Sequence, residues 1–212
     1  MAEAIANDKE RGGLELPEIP LFPLRSVLFP EGVLPLRIFE PRYVDMIRWC
    51  MRNQVNFGVV LLRTGSDVAI KDADALPDVF RVGTEAKIVD FNQADNGLLG
   101  IVAVGGRKFS IKESYIQKDG LLKATVEFAI EEPLGELNSV HDPLVAVLQD
   151  LMQHPLVQQL NSPTRLDEAL SVSYRLADLL PIEPEIKQTL LEMNGPIERL
   201  AELERLVTKF GQ

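Results

Sequence analysis

The chain has 212 residues, of which 46% are hydrophobic and 25% charged, with one cysteine and a formal net charge of −10. Such a composition supplies enough apolar side chains for a globular core, and a single cysteine excludes an internal disulfide. No apolar run reaches the roughly 18 residues of a membrane-spanning helix, and the polar first residues lack the apolar stretch of a signal peptide. We therefore expect a cytoplasmic protein without membrane association.

The charge is unevenly distributed along the chain. Residues 1–130 carry 16 basic and 18 acidic side chains, whereas residues 131–212 carry 6 and 14. Proteins that bind nucleic acid usually show clustered Lys and Arg, because these side chains contact phosphate groups. Nucleic acid is therefore not the expected main ligand, although the balanced first part leaves room for an RNA-binding patch.

A strongly apolar segment with prolines at positions 20, 23, 30, 35 and 41 follows a flexible tail that we predict over residues 1–18. Proline lacks an N–H group and fixes φ, so no long strand or helix is expected through this segment. We predict short strands with a turn at Glu31-Gly32. A helix from Pro41 to about Asn53 should follow, because proline suits the first helical position.

The next part of the chain carries strand and turn patterns. After a strand at 57–63 and a polar loop at 64–78, four more strands are predicted, over Phe80–Phe91, Leu98–Val104, Lys108–Gln117 and Leu121–Ile130. Turn sequences separate the last four strands: Asp95-Asn96-Gly97, Gly105-Gly106 and Asp119-Gly120. Asp-Gly and Gly-Gly between apolar runs favour hairpins. The pattern predicts a curved antiparallel sheet that resembles a small barrel.

From Ser139 onward, the apolar period changes from two to 3.6 residues, which indicates helices. Helices are predicted around 144–151, from Ser162-Pro163 to Leu180, and, after restarts at Pro184 and Pro196, to the end of the chain. The expected class is thus α+β. We place a β-rich domain at residues 19–132 and a helical bundle at 133–212.

Three separated stretches resemble one known family. Residues 20–43 read PLFPLRSVLFPEGVLPLRIFEPRY, residues 104–111 read VGGRKFSI, and a third stretch runs from Leu176 to Leu203. Together they resemble the N-terminal, substrate-binding domain of Lon proteases. The resemblance implies a β part similar to the PUA-like barrel, followed by helices. It also implies binding of unfolded or degron-bearing polypeptide, or docking to a protease partner.

The sequence shows no catalytic set of residues. There is no phosphate-binding loop, and the ATPase and protease modules that follow this domain in Lon are not expected here, so we expect no enzyme activity and no cofactor. Cys50 lies on the apolar face of the predicted helix and is interpreted as a core residue. His141 and His154 are interpreted as exposed or capping residues, and the Asp72, Asp74 and Asp78 group as a solvated loop, so no metal site is expected.

Charged residues inside the apolar opening segment allow two interpretations. Arg25, Arg37, Glu40 and Arg42 either form ion pairs that fix the first strands to the helix, or line a cleft for an extended peptide. In the second case, apolar pockets would lie beside them. The candidate peptide-binding residues are Phe22, Arg25, Phe29, Arg37 and Tyr43.

Three functions remain open at this stage. A non-catalytic module that binds polypeptide is the first hypothesis. An RNA-binding module, suggested by analogy with PUA-like barrels, is the alternative. An enzyme acting on a small ligand between the two parts is the third. The sequence does not indicate the identity of the partner or the oligomeric state.

Overall fold

The structure of the protein, a computed structural model, describes residues 16–63, 76–93, 99–160 and 163–210. The predicted turn at Asp95-Asn96-Gly97, nearly all of the predicted tail and most of the predicted 64–78 loop lie outside these ranges. The strands are β1 (Glu18–Leu24), β2 (Val33–Ile38), β3 (Phe57–Leu62), β4 (Val79–Gln93), β5 (Leu99–Ile116) and β6 (Leu122–Phe128). The helices are α1 (Pro41–Asn53), α2 (Asp142–Met152), α3 (Pro155–Gln159), α4 (Ala169–Leu179), α5 (Pro184–Glu192) and α6 (Pro196–Phe210).

The strands form one mixed sheet, and the α+β class is confirmed. Pairings run β5–β4–β3–β1–β6 and return to β5, whereas β2 lies outside this cycle on the first part of β5. The sheet is therefore not a regular barrel. The predicted antiparallel pairing holds for all pairs of this sheet except β1 and β3, which are parallel, with Phe22 opposite Val59. The chain between them, which contains β2 and α1, provides the crossover that a parallel pair requires.

The proline-rich opening folds as its sequence predicts. β1 and β2 are short, with seven and six residues. Between them Glu31 adopts a positive φ of 64°, and the N–H group of Gly32 donates to the carbonyl of Phe29. The predicted turn at Glu31-Gly32 and the helix from Pro41 to Asn53 are both confirmed.

The predicted hairpin at Gly105-Gly106 was wrong, because β5 continues through both glycines for 18 residues. Gly105 donates from its N–H group to the carbonyl of Gly32, and its own carbonyl accepts from the N–H group of Glu31. A Cβ at Gly105 would lie 2.0 Å from the carbonyl oxygen of Phe29. The glycine thus permits close approach of two backbones instead of a reversal of the chain.

The second predicted helix begins later than its sequence suggests. A helix from Pro163 was predicted, but α4 begins at Ala169. The reason is a tertiary contact: the N–H group of Leu170 donates to the carbonyl of Leu134 at 2.8 Å. The linker thus satisfies one of the first N–H groups of the helix, which otherwise lack partners. The predicted ends and restarts near Pro181, Pro184 and Pro196 are confirmed.

One apolar cluster joins the two parts of the chain. Val27, Phe29 and Leu61 from the β part are buried among side chains of the helices, such as Leu176 and Leu200. A second cluster lies between α1 and the sheet, and a third surrounds Phe109. The proposed boundary between residues 132 and 133 stays a prediction.

A buried ion cluster lies at this boundary. The side chain of Glu132 is 4% exposed and contacts two cations, Lys108 of β5 at 2.5 Å and Arg199 of α6 at 2.7 Å. The hydroxyl of Tyr174 in α4 donates to the same carboxylate at 2.5 Å. One acidic side chain therefore links the sheet to two helices.

Lys108 and Arg199 also donate hydrogen bonds to main-chain carbonyls. Lys108 donates to the carbonyls of Leu191 and Met193, and Arg199 donates to those of Leu190 and Met193. Buried charges are tolerated only when paired and hydrogen-bonded in this way. These carbonyls lie at the end of α5, so the cluster also fixes the turn between α5 and α6.

The pKa of the Glu132 carboxyl reflects two opposing effects. Burial, the largest single effect, raises this pKa, but hydrogen bonds from Lys108, Tyr174 and Arg199 together hold it below its ordinary value of 4.5. Burial lowers the pKa of Lys108, which shares the carboxylate with a second cation. Burial and the hydrogen bond to Glu132 raise the pKa of Tyr174. The cluster therefore depends on an ionised Glu132.

None of the described helices combines the length and the apolar character that crossing a membrane requires.

We expect Gly105→Ala to lower the free energy of unfolding by about 2–3 kcal/mol, because the new methyl group overlaps the Phe29 carbonyl. Gly106→Ala is the control: its Cβ would lie 3.2 Å from the end of the flexible Glu85 side chain. We expect that change to stay below about 1 kcal/mol. Urea denaturation of both variants measures the difference, and equal stability would contradict the close-approach interpretation.

Glu132→Gln should lower the free energy of unfolding by about 3 kcal/mol, because it leaves Lys108 and Arg199 buried without a counter-charge. Glu131→Gln is the matched control, since Glu131 is exposed and forms no ion pair within the described ranges. That variant should remain within about 0.5 kcal/mol of the parent. Chemical denaturation at neutral pH tests both, and similar midpoints for the two variants would argue against the role of the cluster.

The cluster should also make stability dependent on pH. A carboxyl whose pKa is lowered by folding stabilises the protein above its unfolded pKa, and that contribution disappears as the pH falls through the folded pKa. The stability difference between the parent and Glu132→Gln should therefore shrink below about pH 4.5. Denaturation curves from pH 7 to pH 3.5 measure it; a constant difference would contradict the assigned pKa direction.

Candidate functional site

The structure places the predicted peptide-binding aromatic residues in the interior. Phe22 and Tyr43 are buried between α1 and the sheet, with ring centroids 4.2 Å apart in an edge-to-face contact. Phe29 is fully buried in a different cluster, 6.1 Å from the ring of Tyr174. These side chains therefore do not form surface pockets in this structure.

The predicted charged residues also separate into two groups. Arg42 contacts Glu40 at 2.7 Å and donates to the carbonyl of Gly120, which fits the ion-pair interpretation for this pair. Arg25 and Arg37 lie on the exposed surface. The structure thus does not bring the five predicted binding residues together, and their role in peptide binding stays a prediction.

A different set of residues forms an exposed site where the two parts of the chain meet. The 129–132 segment connects β6 to the helical part and is fixed at both ends. The N–H group of Ala129 donates to the carbonyl of Lys108 at 2.9 Å, and Glu132 is held in the buried ion cluster. Between these anchors the side chain of Ile130 is 93% exposed.

The backbone of this segment is available for further hydrogen bonds. Ile130 and Glu131 belong to neither a helix nor a strand, and within the described ranges their N–H and C=O groups form no backbone hydrogen bond. Unpaired backbone groups on a fixed segment can pair with an incoming extended chain. The segment thus presents an apolar side chain and backbone donors and acceptors together.

The larger of two clefts beside this segment has a volume of about 590 Å³ and lies between the sheet and the end of α5. Its apolar lining is Val82, Phe109, Phe128, Ala129, Ile130 and Pro133. The side chains of Glu127, Glu131 and Glu192 stand around it, with the buried Lys108–Glu132 pair beneath. This cleft combines an apolar floor with an acidic rim.

The smaller cleft has a volume of about 360 Å³ and lies on the other side of the segment. Its apolar lining is Pro30, Ile130, Leu134, Leu170 and Tyr174. Its charged residues include Arg165, which contacts Glu31 at 2.5 Å, and Arg107, which contacts Glu85 at 3.3 Å. Most of its charged residues are therefore paired, and Glu131, which also lines the larger cleft, is the exception among the described residues.

The sequence pattern does not reveal this site. The run Glu131-Glu132-Pro133 marks the end of the β part, and Ile130 was assigned to a strand that in fact ends at Phe128. The one sequence signal for this site is that the apolar Ile130 lies beyond the alternating pattern of the preceding strand. Which of the two glutamates becomes buried depends on residues far away in the chain.

The remaining candidates for chemistry have structural roles. Cys50 is 1% exposed, as predicted, and burial raises the pKa of its thiol to about 11. The Nδ1 atoms of His141 and His154 accept hydrogen bonds from nearby backbone N–H groups, so both histidines cap helical turns, also as predicted. In the part of the chain that the structure describes, no group of three or more His, Cys, Asp or Glu residues could hold a metal ion.

Comparisons with curated proteins show relatives among bacterial proteases. The Lon protease of Cytophaga hutchinsonii is 26% identical over 212 residues, which cover 95% of this chain and 25% of that protein. Lon protease 2 of Myxococcus xanthus is 29% identical over 187 residues, or 84% of this chain and 22% of that protein. The chain thus spans about a quarter of the length of these relatives.

Solved structures agree with this relation. A Lon N-terminal domain protein from Xanthomonas campestris superposes with a TM-score of 0.73 at 33% identity, covering 90% of this chain and 98% of that one. The N-terminal domain of a Mycobacterium avium complex Lon protease gives a TM-score of 0.57 at 17% identity, which shows a shared fold.

The profile of one family, the substrate-binding domain of the ATP-dependent protease La (LON), matches residues 18–209. This match covers both the sheet and the helices, and it includes the 129–132 segment and both clefts. The chain therefore belongs to the family of Lon substrate-binding domains.

Proposed function

We propose that this chain binds unfolded or degron-bearing segments of other polypeptides, or a proteolysis partner, and that it breaks no bonds itself. Its family is named for substrate binding in Lon, which supports a binding role. The relatives are about four times longer, and the matched family is the substrate-binding domain, so the family match gives no support for catalysis by this chain. A cytoplasmic location stays a prediction from the sequence.

One observation carries the choice of site. The 129–132 segment presents a 93% exposed Ile130 and unpaired backbone groups on a fixed support between two clefts. An exposed apolar side chain beside partly apolar clefts is typical of a surface that binds another molecule. An extended polypeptide could pair with the segment and place alternate side chains in the two clefts.

The geometry gives no comparable support for the other two functions. The carboxylates at the larger cleft would repel the phosphate groups of RNA. A thiol whose pKa is raised to about 11 is a poor nucleophile at neutral pH, so Cys50 does not favour an enzyme. The surface residues Arg25 and Arg37 remain proposed secondary contacts for a bound segment.

Ile130→Ser should weaken the binding of polypeptide by about fivefold or more, because a central apolar contact of a binding surface typically contributes over about 1 kcal/mol. Fluorescence anisotropy with labelled ten-residue peptides rich in Leu, Val and Phe measures this affinity. Since Ile130 is already exposed, the thermal unfolding midpoint should not change.

Leu156→Ser is the matched control, because Leu156 is 65% exposed on α3 and lines neither cleft. That variant should bind the peptides like the parent. Equal binding by the parent and Ile130→Ser, or an equal loss in both variants, would refute the proposed site. Failure of the parent to bind any of the peptides would refute the proposed function.

A further inference from the structure

The larger cleft, defined above by its apolar floor and acidic rim, has an unbalanced set of exposed charges. Glu127 contacts Lys112, and Glu192 accepts a hydrogen bond from the neutral amide of Gln188 at 2.8 Å. Glu131 forms no ion pair with any described residue and lines both clefts. Three exposed carboxylates thus face this cleft with one ammonium group beside them.

The buried cations beneath the cleft do not cancel this imbalance at its mouth. Lys108 and Arg199 share Glu132 and also donate to main-chain carbonyls of the α5–α6 turn. Their donors therefore point into the protein, where they are already paired. An incoming ligand meets the rim carboxylates first, and these lie in solvent where they can contact a cation.

The shape and chemistry of the cleft fit a long cationic side chain. Lys and Arg combine an aliphatic stem, which packs on apolar surface, with a charged end that stays near water. The apolar floor around Ile130 would contact the stem, and Glu131 and Glu192 would contact the charged end. One face of the Phe128 ring is already covered by the guanidinium of Arg107, 3.8 Å from the ring centroid. The smaller cleft also contains Glu131, but the guanidinium groups of Arg107 and Arg165 line it as well, so a cationic side chain is less favoured there.

We propose that the larger cleft takes a Lys or Arg side chain of the bound polypeptide, so that this chain prefers apolar segments that contain basic residues. The inference rests on the proposed function, because it names the chemistry of the segment that occupies the same site. It follows from charge complementarity between an acidic rim and a cationic side chain. Selectivity should therefore be stronger at low than at high salt.

The test compares two labelled ten-residue peptides that alternate Leu with either Lys or Gln. The parent should bind the Lys peptide at least about fivefold more tightly than the Gln peptide at ~50 mM salt. In Glu131→Gln/Glu192→Gln the affinity for the Lys peptide should fall until the two peptides bind alike. The affinity for the Gln peptide should not change.

A control variant separates this site from the general attraction between a cationic peptide and an acidic protein. Glu204→Gln/Glu202→Gln changes the net charge equally, on α6 and away from both clefts. It should keep the selectivity of the parent. Equal binding of both peptides by the parent would overturn the inference while leaving the proposed function intact.

Two further results are decisive. If the control variant loses selectivity as much as Glu131→Gln/Glu192→Gln does, the preference arises from net charge and the inference is overturned. If neither peptide binds the parent, the inference fails, and the peptides rich in Leu, Val and Phe then decide whether the proposed function fails with it. Thermal unfolding of each variant should stay close to that of the parent, since Glu131, Glu192 and Glu204 are exposed and the half-buried Glu202 forms only a weak ion pair with the exposed Arg205.

Discussion

The burial of one carboxylate, that of Glu132, is the interaction on which the arrangement of this molecule depends. It brings a lysine of the sheet, an arginine of the last helix and a tyrosine of α4 to a single point. Isolating any of these charges from water without its partner would cost several kcal/mol, so the group forms as a unit or not at all. Because Glu132 belongs to this group, the group also fixes the position of the 129–132 segment between the sheet and the helices.

The proline-rich segment also contacts the residues around this ion cluster. Phe29 leaves the sheet region and is buried among the helices, where its ring lies 6.1 Å from Tyr174. Its carbonyl oxygen lies so close to β5 that only glycine fits at position 105. Thus the most apolar part of the sequence packs against the helical core, and Gly105 lets β5 pass close to the Phe29 backbone while it pairs with β2 and β4.

These constraints explain why an exposed apolar surface, the proposed binding site, arises at the linker. Ala129 is fixed by β5 and Glu132 by the cluster, so the two residues between them cannot retreat into the core. An apolar side chain that is exposed to water at this position would gain free energy if a bound partner covered it. The chain belongs to a family of substrate-binding domains. In that context, such a surface is better suited to the proposed recognition of polypeptide segments than to catalysis.

Local sequence determined most of the elements: prolines limited the first strands, Asp119-Gly120 closed a hairpin, and apolar periodicity placed α1, α5 and α6. These features act through backbone geometry within a few residues, so a single sequence reveals them. The sequence alone could not show that β5 passes through Gly105, that β1 and β3 are parallel, or that Phe29 joins a different interior cluster from Phe22 and Tyr43. Nor could it distinguish Glu131 from Glu132. Only tertiary structure decided which glutamate is buried and which faces solvent, because Arg199, which selects Glu132, lies 67 residues away in the chain.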